Sequence, residues 1–243
     1  MKLVLLLVFS ILCALTVPTF AQVSSAFVDP GPYTPGSTIA TTFTIDPNAC
    51  YPQGHTFTML LSDASGNFSP GQNIGTYNSF YATFVNGTIP TTAVAGSGYK
   101  IRIISSTVPG IVAESGTFTI TAGTAVEAKV NSSHYYGGAG SDAFGSCTSS
   151  GSLTLTLGNE STTDGALTAT ITDEFSKAVT NHTIANAITF SPEKKHYTMF
   201  AKVTMPNGTI ATRAYFIINN ETITAFSTTG NNVVCLPGGR LTY

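Results

Sequence analysis

The strongest constraint on the fold is the stretch from His55 to Ser106, in which short runs alternate between apolar and polar residues. Near its end the apolar members are Tyr99, Ile101 and Ile103, with basic residues between them. A repeat of two is expected of an antiparallel strand with one buried face. Turns rich in Gly, Pro and Asn separate these runs, which favours β-sandwiches over a helical or parallel α/β fold.

Similar runs occur in both halves of the chain, for example at 56–61 in the first half and at 152–157 in the second. The mature chain lacks a sustained i, i+3, i+4 spacing of the kind found in amphipathic helices. We therefore predict an all-β protein with two immunoglobulin-like antiparallel β-sandwich domains in tandem, at residues 22–122 and 126–230. Residues 231–243 have the pattern of a further strand or module.

Four short segments are predicted to be connections. Asn86-Gly87 and Pro206-Asn207-Gly208 have the composition of hairpin turns, and Ala122-Gly123-Thr124 has that of a linker. The segment Ser62–Asn67 offers several oxygen atoms, but a calcium loop also needs spaced carboxylates and a late bidentate Glu. We therefore predict a turn there, in which the side chain of Asp63 bonds the nearby backbone.

Residues 1–21 have the pattern of a secretory signal. Lys2 supplies a positive start, Leu3 to Val17 is apolar, and Thr19-Phe20-Ala21 is a small-x-small cleavage site. The apolar run is shorter than the roughly 20 residues needed to span a bilayer, although a retained anchor is the alternative. The pattern predicts a secreted or cell-surface protein without a membrane span after cleavage.

The low charge of the chain limits its partners. Charged residues make up 9% of the chain and hydrophobic residues 42%, with a net charge of -2. Disordered chains have few apolar residues or a high net charge, so this chain should fold. Lys and Arg total 10 without a basic run, so no nucleic-acid partner is predicted.

Three cysteines follow the predicted cleavage site: Cys50, Cys147 and Cys235. In an exported protein a pair of them can form a disulfide. Cys147 and Cys235 flank the strands of the second half and are the predicted pair, closing a loop of about 90 residues worth about 4 kcal/mol in the chain-entropy model. Cys50 would then be a buried free thiol or would pair with a segment outside this chain.

The sequence contains no pattern that predicts catalysis. The four histidines are scattered, and neither a Gly-x-Ser-x-Gly elbow nor a zinc-binding spacing occurs. Asp173-Glu174 follows a predicted strand, where a solvated loop is favoured over a glycosidase pair. We predict that the chain is not an enzyme and that it binds no metal or cofactor.

Two aromatic clusters are candidate contacts for a surface glycan or a protein ligand. Both lie in polar or Gly-rich surroundings, and the alternative is that they close the ends of the sandwiches. The clusters consist of Tyr77, Phe80, Tyr81, Tyr135 and Tyr136.

Several short pieces of the first half occur in the order of a known module. These pieces are Pro35-Gly36-Ser37, Cys50 before Phe57 to Leu61, Leu61 to Phe68, Ile74-Gly75, Ile89-Pro90 and Gly96 to Arg102. Over about residues 25–121 the chain resembles a module of large exported Bacteroidetes proteins associated with gliding motility or type 9 secretion. The resemblance implies an immunoglobulin-like sandwich that acts as a spacer or binding unit and carries no catalytic residues.

The segment Gly96-Ser97-Gly98-Tyr99 resembles the tyrosine corner of immunoglobulin-like domains. In that corner a Tyr at the start of a late strand bonds back to the nearby backbone. The resemblance therefore implies a structural role for Tyr99.

The preferred functional hypothesis is a non-catalytic extracellular module that acts in adhesion, in ligand binding or as a spacer. One alternative is an accessory region of a larger secreted hydrolase. Another is a glycosylated eukaryotic ectodomain, because the chain has seven Asn-x-Ser/Thr sequons where chance gives roughly three or four. These sequons begin at Asn67, Asn86, Asn131, Asn159, Asn181, Asn207 and Asn220.

Overall fold

The computed structural model describes residues 23–45, 50–51, 55–78, 83–106, 112–136, 138–147, 152–193, 195–220 and 234–235. These residues contain β-strands and no helix, so the predicted all-β class is confirmed. None of the described segments forms a helix that is long and apolar enough to cross a bilayer. The strands are β1 (Val23–Phe27), β2 (Thr38–Ile45), β3 (Cys50–Tyr51), β4 (Thr56–Leu61), β5 (Gln72–Asn78), β6 (Phe84–Thr88), β7 (Gly96–Tyr99), β8 (Ile101–Ser105), β9 (Val112–Glu114), β10 (Phe118–Ile120), β11 (Val130–Ser132), β12 (Ala143–Cys147), β13 (Leu155–Asn159), β14 (Ala166–Asp173), β15 (Val179–Thr183), β16 (Ala187–Phe190), β17 (His196–Thr204), β18 (Ile210–Asn220) and β19 (Val234–Cys235).

The first half, residues 23–120, contains two antiparallel sheets with the strand orders β1-β2-β6 and β5-β4-β8-β9. Strands β7 and β10 form an additional pair. The buried faces of these sheets share one apolar core, as their alternating sequences require. Its largest members include Tyr33, Ile39, Phe43, Phe57, Met59, Ile101, Ile103 and Phe118.

The predicted strand that begins at Tyr99 is divided at Lys100. Strand β7 pairs with β10, whereas β8 pairs with β4. Lys100 instead exchanges hydrogen bonds with Ser62, whose backbone N–H donates to the Lys100 carbonyl at 3.0 Å. The chain therefore changes sheet at this residue, while Tyr99, Ile101 and Ile103 are all buried as predicted.

The predicted hairpin turn at Asn86-Gly87 is wrong, because both residues lie inside β6. This strand pairs with β2 in regular antiparallel register. A Cβ atom at position 87 would lie 2.5 Å from the Ile74 carbonyl oxygen and 2.5 Å from the methyl carbon of Met59. Glycine is present here because the neighbouring chain packs closely, and not because the backbone turns.

The second half, residues 126–220, contains sheets with the strand orders β12-β18-β17-β14-β15 and β11-β13-β16. Only the β12–β18 pair is parallel among these ladders. The predicted turn at Pro206–Gly208 is confirmed, since it connects β17 to β18 with Gly208 at a φ of 83°. Strands β11, β12 and β15 were not predicted from the sequence. The second half has its own core, which is mostly aliphatic.

Candidate functional site

The two halves contact each other through β2 and β6 of the first half and β18 of the second. Ala40, Phe84, Ala214 and Phe216 form a separate buried cluster at this contact. The centroids of the Phe84 and Phe216 rings are 4.7 Å apart, and the Tyr77 ring lies 5.7 and 6.1 Å from them. The junction is therefore packed like a third small core.

The side chain of Asn86 in the first half bonds directly to the backbone of the second half. Its Nδ2 donates to the Ala214 carbonyl oxygen at 2.8 Å, and its Oδ1 accepts from the Ala214 N–H at 2.8 Å. One side-chain amide thus satisfies the N–H and the carbonyl of Ala214, which the β12 ladder does not reach. Such a two-point contact fixes orientation as well as distance, because both bonds must be made at once.

Thr212 supplies a second polar contact inside the junction. Its Oγ1 accepts from the Ala40 N–H at 2.8 Å and lies 3.2 Å from the Tyr33 hydroxyl. All three residues are buried. Burial raises the pKa of the Tyr33 phenol far above its ordinary value, so this hydroxyl stays protonated and available as a donor.

Charged and hydroxyl groups surround this junction. Lys202 Nζ lies 2.8 Å from Asp29 Oδ2 across the two halves. The hydroxyls of Thr83 and Thr198 are 2.7 Å apart, and the Thr198 hydroxyl donates to Glu174. Apolar, backbone and ionic contacts therefore all join the same two surfaces.

The segment predicted as a linker leads directly into further contacts between the halves. Residues 122–125 are exposed, but Val126 and Ala128 are buried. The N–H of Val126 donates to Ser37 Oγ at 2.8 Å, and that of Ala128 donates to Thr38 Oγ1 at 2.9 Å. The connection is thus held against the start of β2 within a few residues of its exposed part.

The first predicted aromatic cluster is only partly described. Tyr77 is half-buried in the junction, where its ring packs on two phenylalanines. This placement matches the packing alternative for Tyr77. Phe80 and Tyr81 lie outside the described residues.

The two residues of the second aromatic cluster differ in their exposure to solvent. The Tyr135 ring meets the buried Phe144 ring edge-on at 5.5 Å. Tyr136 is 43% exposed, and its N–H donates to the Ala143 carbonyl at 2.8 Å. Of the five predicted aromatics, Tyr136 is the one that the described structure presents to solvent, and its role in ligand binding stays a prediction.

Tyr99 bonds back to the chain that precedes it. Its ring is buried beside Phe118, and its hydroxyl donates to the Val94 carbonyl at 2.8 Å. This bond reaches five residues upstream, as the resemblance to a tyrosine corner implies. The contribution of the bond to stability is a prediction that substitution of Tyr99 can test.

The pairing of the strands shows which residue lies opposite each cysteine. Strand β19 pairs antiparallel with β3 and sets Cys235 opposite Cys50. Cys147 ends β12, opposite Asn220 of β18. The predicted Cys147–Cys235 disulfide stays a prediction, and the register presents Cys50 as a competing partner for Cys235.

Asp173 and Glu174 do not lie in the solvated loop that the sequence predicted. Asp173 is only 5% exposed, and its Oδ1 accepts from the N–H groups of Phe175 and Ser176 at 2.8 and 3.1 Å. Burial raises the pKa of this carboxyl, but these bonds and Lys195 outweigh burial and hold the pKa well below its usual range. The pair therefore organises the turn between β14 and β15.

The predicted turn at Ser62–Asn67 has the expected Asx geometry. Asp63 Oδ1 accepts from the N–H groups of Ser65 and Asn67, each at 2.9 Å. These backbone bonds lower the pKa of Asp63. Within the described ranges, no three His, Cys, Asp or Glu side chains are grouped so that they could hold a metal ion.

An open groove lies beside the linker at one end of the second half, with a volume of about 370 Å³. Asp164 in its wall has a φ of 67°, which is uncommon for a residue other than glycine. None of the lining residues is aromatic, so the groove and the predicted aromatic clusters are different surfaces. The lining is Thr124, Ala125, Val126, Thr162, Asp164, Met205, Pro206, Asn207 and Thr209.

Comparison with known proteins does not assign the chain to a family. No family model matches it, and no curated protein matches it. Fibronectin(III)-like modules of Clostridium thermocellum CbhA are 12% identical, with 84% of this chain and 100% of that chain covered at a TM-score of 0.25. The BSP domain of a biofilm-associated protein is 14% identical, with 82% and 30% covered at a TM-score of 0.32.

A Ca²⁺-stabilised, ice-binding adhesin of an Antarctic bacterium is 11% identical, with 83% of this chain and 50% of that chain covered at a TM-score of 0.28. This chain therefore spans half or less of the last two structures. Because the identities and TM-scores are low, the fold class rests on the strands of the chain itself. That class is all-β, built from mostly antiparallel sheets that enclose apolar cores.

Proposed function

We propose that the chain is a non-catalytic module of a secreted or cell-surface protein, in which two β-sandwiches act as one rigid unit for adhesion or spacing. The observation that carries this proposal is the contact between the halves, centred on Phe84, Asn86 and Phe216. Neighbouring domains move relative to each other by default unless their interface is large and apolar. A module that transmits orientation along a surface protein needs such an interface.

Residual dipolar couplings test the rigid unit. We expect both halves of the mature protein to share one alignment tensor. Phe216→Ala should separate the tensors, because it removes the ring that packs on Phe84. Leu153→Ala, which lies in the core of the second half, is the matched control and should leave a single tensor. Independent tensors in the unmodified protein would overturn the proposal.

A bead-attachment assay tests the adhesive role. Beads coated with the mature protein should be retained on cells or on a glycan array above beads coated with an unrelated sandwich of equal size. Tyr136→Ala should reduce that retention if the exposed ring contacts the ligand. Retention equal to the control on every surface would leave spacing as the role and exclude adhesion by this module.

Export is the third part of the proposal and rests on the signal pattern of residues 1–21. N-terminal sequencing of the exported protein should begin at Gln22. An intracellular product that still begins at Met1 would contradict it.

A further inference from the structure

We propose that two copies of the chain associate through β15 and join their five-stranded sheets edge to edge. Strand β15 is the last strand of its sheet, with β14 on one side. Four of its five residues are exposed, and Val179 is 54% exposed. This inference does not depend on the proposed function.

Several other described edge strands carry devices that discourage pairing. The ladders of β1 and β5 contain bulges, and β9 and β11 have three residues each. The outer edge of β12 is covered by a bridge between Tyr135 and Phe144. Proteins use such bulges, short strands and covers to prevent edge-to-edge association.

Strand β15 has a different character. It pairs with β14 over five consecutive positions without a bulge. Its sequence, Val-Thr-Asn-His-Thr, contains no Lys, Glu, Asp or Pro. Strand β16 is also regular, but it has only four residues. Strand β6 is also an edge of five residues that is regular and uncharged, but β5 packs against its Gly87 and β18 bonds to its Asn86. Among the described edges, β15 is thus the longest that is regular, uncharged and uncovered.

The ladder shows which backbone groups of β15 face outward. The Ile184 N–H donates to Leu167, and the Asp173 N–H donates to Ala178, each at 2.9 Å. Bonded pairs alternate along an antiparallel ladder, so Thr180 and His182 direct their backbone groups toward β14. Val179, Asn181 and Thr183 therefore direct theirs away from the sheet.

These outward groups are self-complementary about Asn181. In an antiparallel pairing centred there, Asn181 meets its own copy, and Val179 meets Thr183 in both directions. Each of the three pairs exchanges two hydrogen bonds, which gives about six bonds across the new ladder. Val opposite Thr is a favourable β-branched pair, and no like charges face each other.

Sedimentation velocity over a concentration series tests the association with bacterially produced, unglycosylated protein. We expect a reversible monomer–dimer equilibrium. Asn181→Pro removes one outward N–H, and Asn181→Lys sets two positive charges face to face. Each variant should weaken the dimer at least about tenfold, without a change in the circular dichroism spectrum.

The matched control is Thr189→Lys on the exposed edge strand β16, which should leave the equilibrium unchanged. Cross-linking adds a positive test. Asn181→Cys should give a covalent dimer on a non-reducing gel, since directly opposed strand residues lie within disulfide range, whereas Thr189→Cys should not. A monomer at every concentration, or equal cross-linking of both variants, would overturn the proposal.

Discussion

The two halves of the molecule form their cores in different ways. In the first half, register shifts interrupt the β1–β2, β4–β5 and β7–β10 pairs, and aromatic rings such as Tyr33, Phe43 and Phe57 fill the space between the sheets. In the second half the described ladders have no register shift. Buried aliphatic residues such as Leu155 and Ile171 alternate along their strands with residues that are exposed or half-buried. Alternation predicts a strand in either half where one face is apolar, whereas the positions of the register shifts depend on contacts that are distant in sequence.

The largest expected effect tests whether the junction between the halves stabilises the protein as a buried core does. Phe84→Ala should lower the free energy of unfolding by about 3–5 kcal/mol, because it leaves a cavity beside Phe216. Urea unfolding should then show two transitions in place of one. Val94→Ala at a 65% exposed position is the control and should stay within about 0.5 kcal/mol. A junction that tolerates Phe84→Ala equally well would be a surface contact.

The cysteines come next in expected size. The backbone register leads us to expect that oxidised protein links Cys50 to Cys235, and Cys50→Ser should then lower stability by about 2–5 kcal/mol. Peptide mapping without reduction measures the linkage directly. If Cys147→Ser removes the cross-link instead, the pairing predicted from the sequence is the correct one.

Asn86→Ala tests the polar part of the junction. It leaves the N–H and carbonyl of Ala214 without their side-chain partner, so we expect a loss of about 1–3 kcal/mol. Asn73→Ala in exposed β5 also removes a side-chain bond to backbone, at Gly75, and should cost less. Equal losses of stability in thermal unfolding would show that the bonds across the junction stabilise the protein no more than a bond within an exposed strand.

Tyr99→Phe tests the stability of the first half, whose ladders contain the register shifts. It keeps the ring beside Phe118 but removes the bond to Val94, and it should cost about 1 kcal/mol without altering ligand attachment. An unchanged melting temperature would contradict the structural role of this hydroxyl.

The smallest expected effect is the pH dependence of stability that Asp173 gives to the second half, whose ladders are regular. Because the folded protein holds the pKa of Asp173 below its unfolded value, this carboxylate stabilises the fold above about pH 4, and that contribution is lost as pH falls. Melting temperatures measured from about pH 7 downward should fall less steeply for Asp173→Asn. Parallel curves would mean that other carboxylates dominate acid unfolding.

The sequence predicts the strands whose two faces differ, such as β4 and β14. It did not predict β15, because exposed Thr and Asn residues give that strand no apolar face. It also did not reveal the junction, although a signal was present. The run Ala214 to Ile218 is almost wholly apolar, which is typical of a strand covered on both faces. The turn predicted at Asn86-Gly87 is wrong because the pairing of β6 with β2, and the contact of Asn86 with Ala214 128 residues away, outweigh the local turn preference.

Asn86 also begins a sequon, and this has a consequence for how the protein is produced. During synthesis Asn86 leaves the ribosome well before Ala214, so in a host that glycosylates such sites its amide nitrogen is accessible before its partner exists. A sugar attached at that moment would replace one of the two hydrogens on the nitrogen that later donates to Ala214, and it would add bulk at the contact between the halves. We therefore expect the halves to dock less closely in protein from a glycosylating host than in protein from a host that adds no sugar.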